Sequence, residues 1–202
     1  MFKDIGKVKE VVKLELPNRP RVAFRQKKPN LKDIELHNRD EHEMKGLGWA
    51  HLGKSLFTIW HRPTTEQLPK LLDLHKLTTV VTILGYKENP DDIRHACWKL
   101  GLNHHFIVME DANEETLNDE YMCFEFTGEA KKLVALMSEN KEKVLIHCGA
   151  GIHRSGVITY ALLRMAGLNP LESFHVIQGV RVQTAIGVGE WRVRMTEKNI
   201  VK

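Results

Sequence analysis

The chain holds 202 residues, 42% hydrophobic and 28% charged, enough for one well-buried domain and short for two. Its three cysteines, Cys97, Cys123 and Cys148, form neither an even-numbered disulfide framework nor a metal-ligand spacing, so a reducing compartment, cytoplasmic or nuclear, is expected and no metal or other cofactor is. The formal charge of +4 is unevenly spread: residues 1–32 carry ten Lys or Arg against three acids, whereas residues 33–45 carry five acids against two basic residues. The first 45 residues accordingly read as an N-terminal extension, basic and then acidic, ahead of a compact domain over 46–202. Pro17, Pro20 and Pro29 break the periodicity of this arm, and only Arg21 to Arg25 has strand character. Its positive charge suits an anionic partner, whether lipid headgroups, nucleic acid or an acidic protein. Only Phe2 and Phe24 stand in it to stack on bases. No apolar run nears the roughly 18 residues of a membrane span, and the first residues lack a signal-peptide core. Phe2 and the closing Asn199-Ile200-Val201-Lys202 give no lipidation motif, so neither a transmembrane segment nor a lipid anchor is expected.

Gly46-Leu47-Gly48 opens the compact part, and Ser55 to Trp60 reads as a strand. A helix is predicted from Pro63 or Thr64 to about Lys76, with Thr64 and Gln67 spaced for a capping box. The β-branched run Thr78 to Leu84 reads as a buried strand. Asn89-Pro90 starts a helix that stops at Gly101, and His104 to Met109 is a further short strand. A long helical region spans about Glu115 to Ser138, with an interruption expected near Gly128, and Lys143 to His147 is the next strand. Val157 to Ala166, apolar nearly all round, reads as a central buried helix ended by Gly167. Asn169-Pro170 caps a helix to about Gln178, and a last helix is expected over Glu190 to Lys198. Strands alternating with helices predict an α/β fold, a mainly parallel central sheet with helices on both faces and its site outside the strand C-termini.

The run Val144-Leu145-Ile146-His147-Cys148-Gly149-Ala150-Gly151-Ile152-His153-Arg154-Ser155-Gly156 joins a strand, a small-residue loop and a helix start. Backbone N–H groups from Gly149, Ala150, Gly151, Ile152, His153 and Arg154 are thereby expected to converge on one point, where a helix N-terminus carries roughly half a positive charge. Arg154, six positions after Cys148, supplies a planar fork that matches two phosphate oxygens. The same positive field favours the thiolate of Cys148, which makes the loop a candidate for covalent catalysis on phosphate esters. A random chain of this length shows HC-x-x-G-x-x-R-S with a chance on the order of 10⁻⁴, so coincidence is a poor explanation.

At these residues the chain resembles the cysteine-dependent protein tyrosine phosphatase superfamily, whose active-site loop is HC-x5-R-[ST]. The resemblance implies Cys148 as nucleophile, Arg154 as transition-state clamp, and Ser155 as the hydroxyl that hydrogen-bonds the departing thiolate. His147 is implied to set loop geometry and the thiol's acidity, with a structural histidine at a strand end as the alternative. In this family a carboxylic acid from a loop after a neighbouring strand protonates the leaving group. Met109-Glu110-Asp111-Ala112-Asn113 occupies that place, which makes Asp111 the first choice, Asp119 the alternative and Glu110 a weaker one. The tryptophan-proline-aspartate sequence of the larger tyrosine-specific members is absent, so the compact dual-specificity-like branch is the better match. Arg181-Val182-Gln183-Thr184 resembles the glutamine loop that positions hydrolytic water, making Gln183 a candidate. Arg62 is a candidate for the cleft mouth, and His153 for a cradle side chain facing substrate.

The implied function is a protein phosphatase acting on phosphotyrosine, with phosphoserine and phosphothreonine also open, through a phosphocysteine intermediate. Its partner is then a phosphorylated protein. Gly149, Ala150 and Ile152 are neutral, whereas lipid-phosphate members often place lysines there. A phosphoinositide phosphatase, an RNA 5′-phosphatase and a phosphate-binding module without turnover stand as alternatives.

Overall fold

The computed structural model describes residues 44–201, so the basic arm with its proposed partners and the strand-like Arg21 to Arg25 lie outside the described residues. Five strands form one sheet: β1 (Ala50–Leu52), β2 (Ser55–Trp60), β3 (Thr79–Leu84), β4 (Asn103–Val108) and β5 (Lys143–His147). Their order is β1-β2-β5-β3-β4, with β1 antiparallel to β2 and all other pairings parallel. The helices are α1 (Gln67–His75), α2 (Pro90–Leu100), α3 (Glu114–Asn118), α4 (Glu120–Glu139), α5 (His153–Met165), α6 (Pro170–Val180) and α7 (Val182–Asn199).

Strand alternation decides which face each helix covers. Leu145 and Val80 point into a cluster with Leu68 and Leu71 of α1 and Ile93 and Cys97 of α2. Val144, Ile146, Val81 and Ile83 point the other way, into the larger cluster built with α3 to α7. Met44, the first described residue, packs into the smaller cluster, and its carbonyl lies 2.7 Å from Nε2 of His75. Helix α5 is sealed between sheet and outer helices, with Val157, Ile158, Tyr160, Ala161 and Leu163 fully buried. At about 1.5–3 kcal/mol per buried large side chain, this face anchors the whole helix. Its outer end is pinned to α7 by the Arg164–Glu197 pair and by Tyr160, whose hydroxyl donates to Glu197 at 2.6 Å.

Most predicted boundaries agree with the structure to within a few residues. Thr64 and Gln67 make both bonds of the expected capping box, at 3.0 and 3.1 Å. Two expectations need correction, and one strand was not anticipated. The long helix is interrupted at Asp119, not at Gly128: Asp119 turns extended (φ −69°, ψ 117°) and caps α4 through Met122 N–H, while Gly128 sits inside a continuous helix. The last helix begins at Val182, not Glu190, and bends at Gly189, whose φ of 72° is left-handed. The short hairpin strand β1 carried too few residues to register as an alternating pattern.

Register aligns the C-terminal edge of the sheet. His147 of β5 lies opposite Trp60 of β2 and Thr82 of β3, and Leu84 of β3 lies opposite Val108 of β4. The segments after β2, β3, β4 and β5 therefore leave on the same side. The strand-order reversal at β5, between β2 and β3, is where open α/β sheets form a crevice.

Candidate active site

Strand β5 ends at His147 and the loop 148–152 follows before α5 begins. Cys148 is 3% exposed, at the floor of this loop, with Sγ 3.5 Å from Oγ of Ser155 in the first turn of α5. The amides of Gly149, Ala150, Gly151 and Ile152 have no acceptor among the described residues, so they remain available to an anion. The loop is held from outside. The Gly149 carbonyl accepts from the Arg62 amide at 2.9 Å, and Arg181 Nη1 donates to the carbonyls of Ala150 at 2.9 Å and Gly151 at 2.6 Å. Thr184 Oγ1 adds a second donor to Gly151 at 2.6 Å. Gly151 itself has φ 68°, and a Cβ there would overlap the Trp60 carbonyl and the Arg181 guanidinium. A carbonyl-side clamp of this kind turns the opposite, N–H side of the peptide planes inward.

Arg154 is fixed by a residue that sequence reasoning missed. Glu88, in the single 3-10 turn after β3 (Tyr86–Glu88), grips both Nη1 and Nη2 of Arg154, the Nη2–Oε1 distance being 2.8 Å. Nη1 also donates to the carbonyls of Met109 at 3.0 Å and Glu110 at 3.2 Å. This end-on grip leaves the face made by Nε and the second Nη2 hydrogen for a phosphate, since a guanidinium has five donors in one plane. The Arg154 hydrogen bond, first among its causes, holds the Glu88 carboxyl below its usual value. Glu88 is in turn seated by the Gly85 amide at 2.7 Å and by Arg62, whose guanidinium donates to the Glu88 carbonyl and, at 2.8 Å, to the Asn89 carbonyl. Arg62, expected at the cleft mouth, thus binds the turn that carries Glu88. No sequence pattern singles out Glu88, because its place beside Arg154 follows from the pairing of β3 with β5.

His147 is fully buried and its pKa is pushed down to about 3, chiefly by burial, so the ring is neutral. Its Nδ1 lies 3.3 Å from the Cys148 carbonyl and its Nε2 2.8 Å from Thr82 Oγ1, which also lies 2.9 Å from Nε2 of His104. A neutral ring donating from Nδ1 to the carbonyl must accept at Nε2. Thr82 then donates to His147 and accepts from His104, which gives one directed chain across three strands.

Asp111 is exposed, three residues beyond β4, and accepts from the Ala112 amide at 2.7 Å. Its charge works against burial at both His153 and Arg192, so both lie within reach of its field. His153 is half-buried, and burial, reinforced by Arg192, lowers its pKa. Glu110 instead lies across Gly85 and accepts from the Tyr86 amide at 3.1 Å. Asp119 is engaged as the α4 cap. Gln183 is exposed in the first turn of α7, in a helix and not the loop expected, and among the described residues no hydrogen bond joins it to the cradle. All three cysteines are buried thiols, and Cys97 packs on the opposite face of the sheet from Cys148, its thiol pushed up to about 11 by burial. No cluster of His, Cys, Asp or Glu suited to a metal ion occurs among the described residues.

A family model described as "Tyrosine phosphatase family" matches residues 61–172, which run from the residue after β2 to the first turn of α6 and include the whole cradle. No curated protein matches the chain in sequence. Among solved structures, Tk-PTP in its active form is similar at 21% identity and TM-score 0.54, covering 74% of this chain and 92% of that one. The core catalytic domain of the PP-IP phosphatase SIW14 from S. cerevisiae, in complex with citrate, is similar at 16% identity and TM-score 0.52, covering 75% of this chain and 84% of that one. P. aeruginosa TpbA in complex with pTyr is similar at 16% identity and TM-score 0.50, covering 77% of this chain and 84% of that one. At these identities the likeness is one of fold.

Proposed function

Because this chain belongs to the tyrosine phosphatase family, we propose that it hydrolyses phosphotyrosine in proteins through a phosphocysteine intermediate, with phosphoserine and phosphothreonine as further substrates to test. The observation that carries this reading is the thiol of Cys148 beneath four unpaired amides, with an arginine fork oriented beside it. A tetrahedral phosphate ester seated on those amides offers its phosphorus to Sγ, while Nε and Nη2 of Arg154 meet its oxygens. The S–P bond forms as the P–O bond to the leaving group breaks, and Asp111 gives its proton to the leaving oxygen. In the second step water attacks phosphorus, the S–P bond breaks, and Asp111 takes the water's proton. The Ser155 hydroxyl, 3.5 Å from Sγ, stabilises the thiolate that departs. Amides and Arg154 hold the equatorial oxygens in both transition states, so the charge spread over them is met by fixed dipoles.

The choice of a protein substrate rests on the uncharged side chains of Gly149, Ala150 and Ile152 in the cradle, which provide no cation for a polyphosphorylated headgroup. SIW14, a PP-IP phosphatase, and TpbA, seen with pTyr, share the fold, which makes inositol phosphates the informative competitor. The test is a panel of phosphotyrosine and phosphoserine peptides, inositol phosphates and lipids, and 5′-phosphorylated RNA, each with the wild type and with Cys148→Ser. Turnover of phosphotyrosine peptides that vanishes in Cys148→Ser is expected. Hydrolysis confined to inositol phosphates or RNA would overturn the substrate reading, and full activity in Cys148→Ser would overturn the mechanism.

A further inference from the structure

Helix α7 touches both halves of the site. Before its bend, Arg181 and Thr184 hold the carbonyls of Ala150 and Gly151, and Val188 packs so tightly on Gly156 that a Cβ there would lie 2.8 Å from the valine Cβ. After the bend at Gly189, Arg192 donates from Nε to the carbonyl of Ala112 at 2.7 Å. One element therefore fixes the nucleophile's loop with its first half and the loop after β4 with its second.

The Arg192 guanidinium is itself oriented from several sides. Nη1 lies 3.3 Å from the Val188 carbonyl, and Cζ stands 4.3 Å from the centre of the Trp191 ring. Ala112 is fully buried, so its methyl group is locked in the core while its carbonyl is locked by Arg192. Asp111, immediately before it, is exposed, and among the described residues its carboxylate accepts a hydrogen bond from the Ala112 amide alone. This arrangement fixes the backbone next to Asp111 without engaging its carboxylate in a salt bridge.

We propose that Arg192 is a positioning residue for the general acid: by holding the Ala112 carbonyl it sets the distance from the Asp111 carboxyl to the leaving-group oxygen above Cys148. This rests on the reading of Asp111 as the acid. A lysine does not replace it, because an ammonium lacks the planar edge that bonds Ala112 and Val188 while lying against Trp191.

The consequence is specific to the leaving group. Departure of a weakly basic phenoxide needs little protonation, whereas a strongly basic one depends on the acid. Arg192→Met keeps an apolar stem of similar reach and removes the donor. For 2,4-dinitrophenyl phosphate kcat/KM, which reports the step that expels the phenoxide and not the later hydrolysis of the phosphocysteine, is expected within about 2-fold of wild type, and for phenyl phosphate it falls about 10- to 100-fold, the range in which small misplacements act. The alkaline limb of the kcat/KM profile for phenyl phosphate flattens in parallel. In an Asp111→Asn background the same substitution changes kcat/KM by less than about 2-fold, since the group it positions is no longer an acid. An equal loss with both substrates, or full additivity with Asp111→Asn, would overturn the proposal. If Asp111→Asn alone shows no dependence on leaving group, the acid assignment fails instead. Should Arg192→Met lose its thermal transition, Arg192→Lys carries the same comparison: a leaving-group-dependent defect supports the proposal, and wild-type kinetics overturn it.

Discussion

Glu88→Ala removes the carboxylate that grips Arg154 and leaves the Nη1 end of the guanidinium to the Met109 and Glu110 carbonyls. The pair is neither fully buried nor at the surface: the Arg154 side chain is 13% exposed and that of Glu88 34%. Breaking one partner of a buried pair costs about 3–5 kcal/mol and of a surface pair about 0–1, so a loss of about 2 kcal/mol in stability is expected. The catalytic loss is larger. A displacement of about 1 Å in a group that meets the transition state costs on the order of 100-fold, about 2.7 kcal/mol in the barrier. Steady-state turnover of p-nitrophenyl phosphate, with orthovanadate binding as a probe of the oriented cradle, reads this directly. Both are expected to fall together in Glu88→Ala, and Glu88→Gln, which keeps one acceptor, to lie between it and wild type. Because Arg154 holds the Glu88 carboxyl below its ordinary value of 4.5, the pair is intact above that pH and is lost only as pH falls through the lower folded value. The defect should therefore persist across a mildly acidic activity range. A Glu88→Ala enzyme with kcat within about 2-fold of wild type, melting at the expected lower temperature, would refute the dependence of Arg154 on Glu88.

The neutral, buried His147 makes acid costly. Its folded pKa of about 3 lies below the ordinary 6.5, so the unfolded chain takes up the proton first and stability is full above pH 6.5 and declines below it. At pH 5 this amounts to at most about 2 kcal/mol from this residue, at 1.36 kcal/mol per pH unit. Urea unfolding at pH 7 and pH 5 should show that loss in wild type and a smaller one in His147→Asn. Gly151→Ala forces a Cβ against the Trp60 carbonyl at a left-handed φ, and should destabilise by about 2–4 kcal/mol in thermal melts while reducing orthovanadate affinity. Asp119→Ala should cost about 1 kcal/mol as a lost helix cap and leave the leaving-group dependence of kcat/KM unchanged; a steeper dependence would return Asp119 to the role of acid.

The setting of Cys148 was legible because one short segment carries it: strand, cradle and helix are consecutive, and hydrophobic pattern plus spacing give their order. The place of Asp111 at the sheet edge was reachable by one further inference, that parallel strands of one sheet end at the same edge. Glu88 was not, since its partner lies 66 residues away and their meeting depends on β3 pairing with β5, which no local pattern encodes. Arg192 was hidden for a related reason. Its partner, the Ala112 carbonyl, lies 80 residues away, and the last helix, expected from Glu190, runs back to Val182 because Gly189 bends it without ending it while Ile152 fills the space a Cβ at Gly187 would need. That longer helix holds Gln183 in its first turn instead of in a loop. Asp119, not Gly128, interrupts the long helix because a side chain that caps the next turn competes with helix continuation, whereas a lone glycine only weakens it.

The polar chain from His104 through Thr82 to His147 and the Cys148 carbonyl runs crosswise to the strands it joins. Main-chain ladders already tie β4, β3 and β5, but each ladder tolerates small shear along its length. A side-chain tie at fixed depth, just behind the edge where the thiol, the Glu88 turn and the Asp111 loop emerge, opposes that shear. The three strands are then obliged to shift as a plate, and any adjustment that admits a bulky substrate must be made by the segments overhanging the edge.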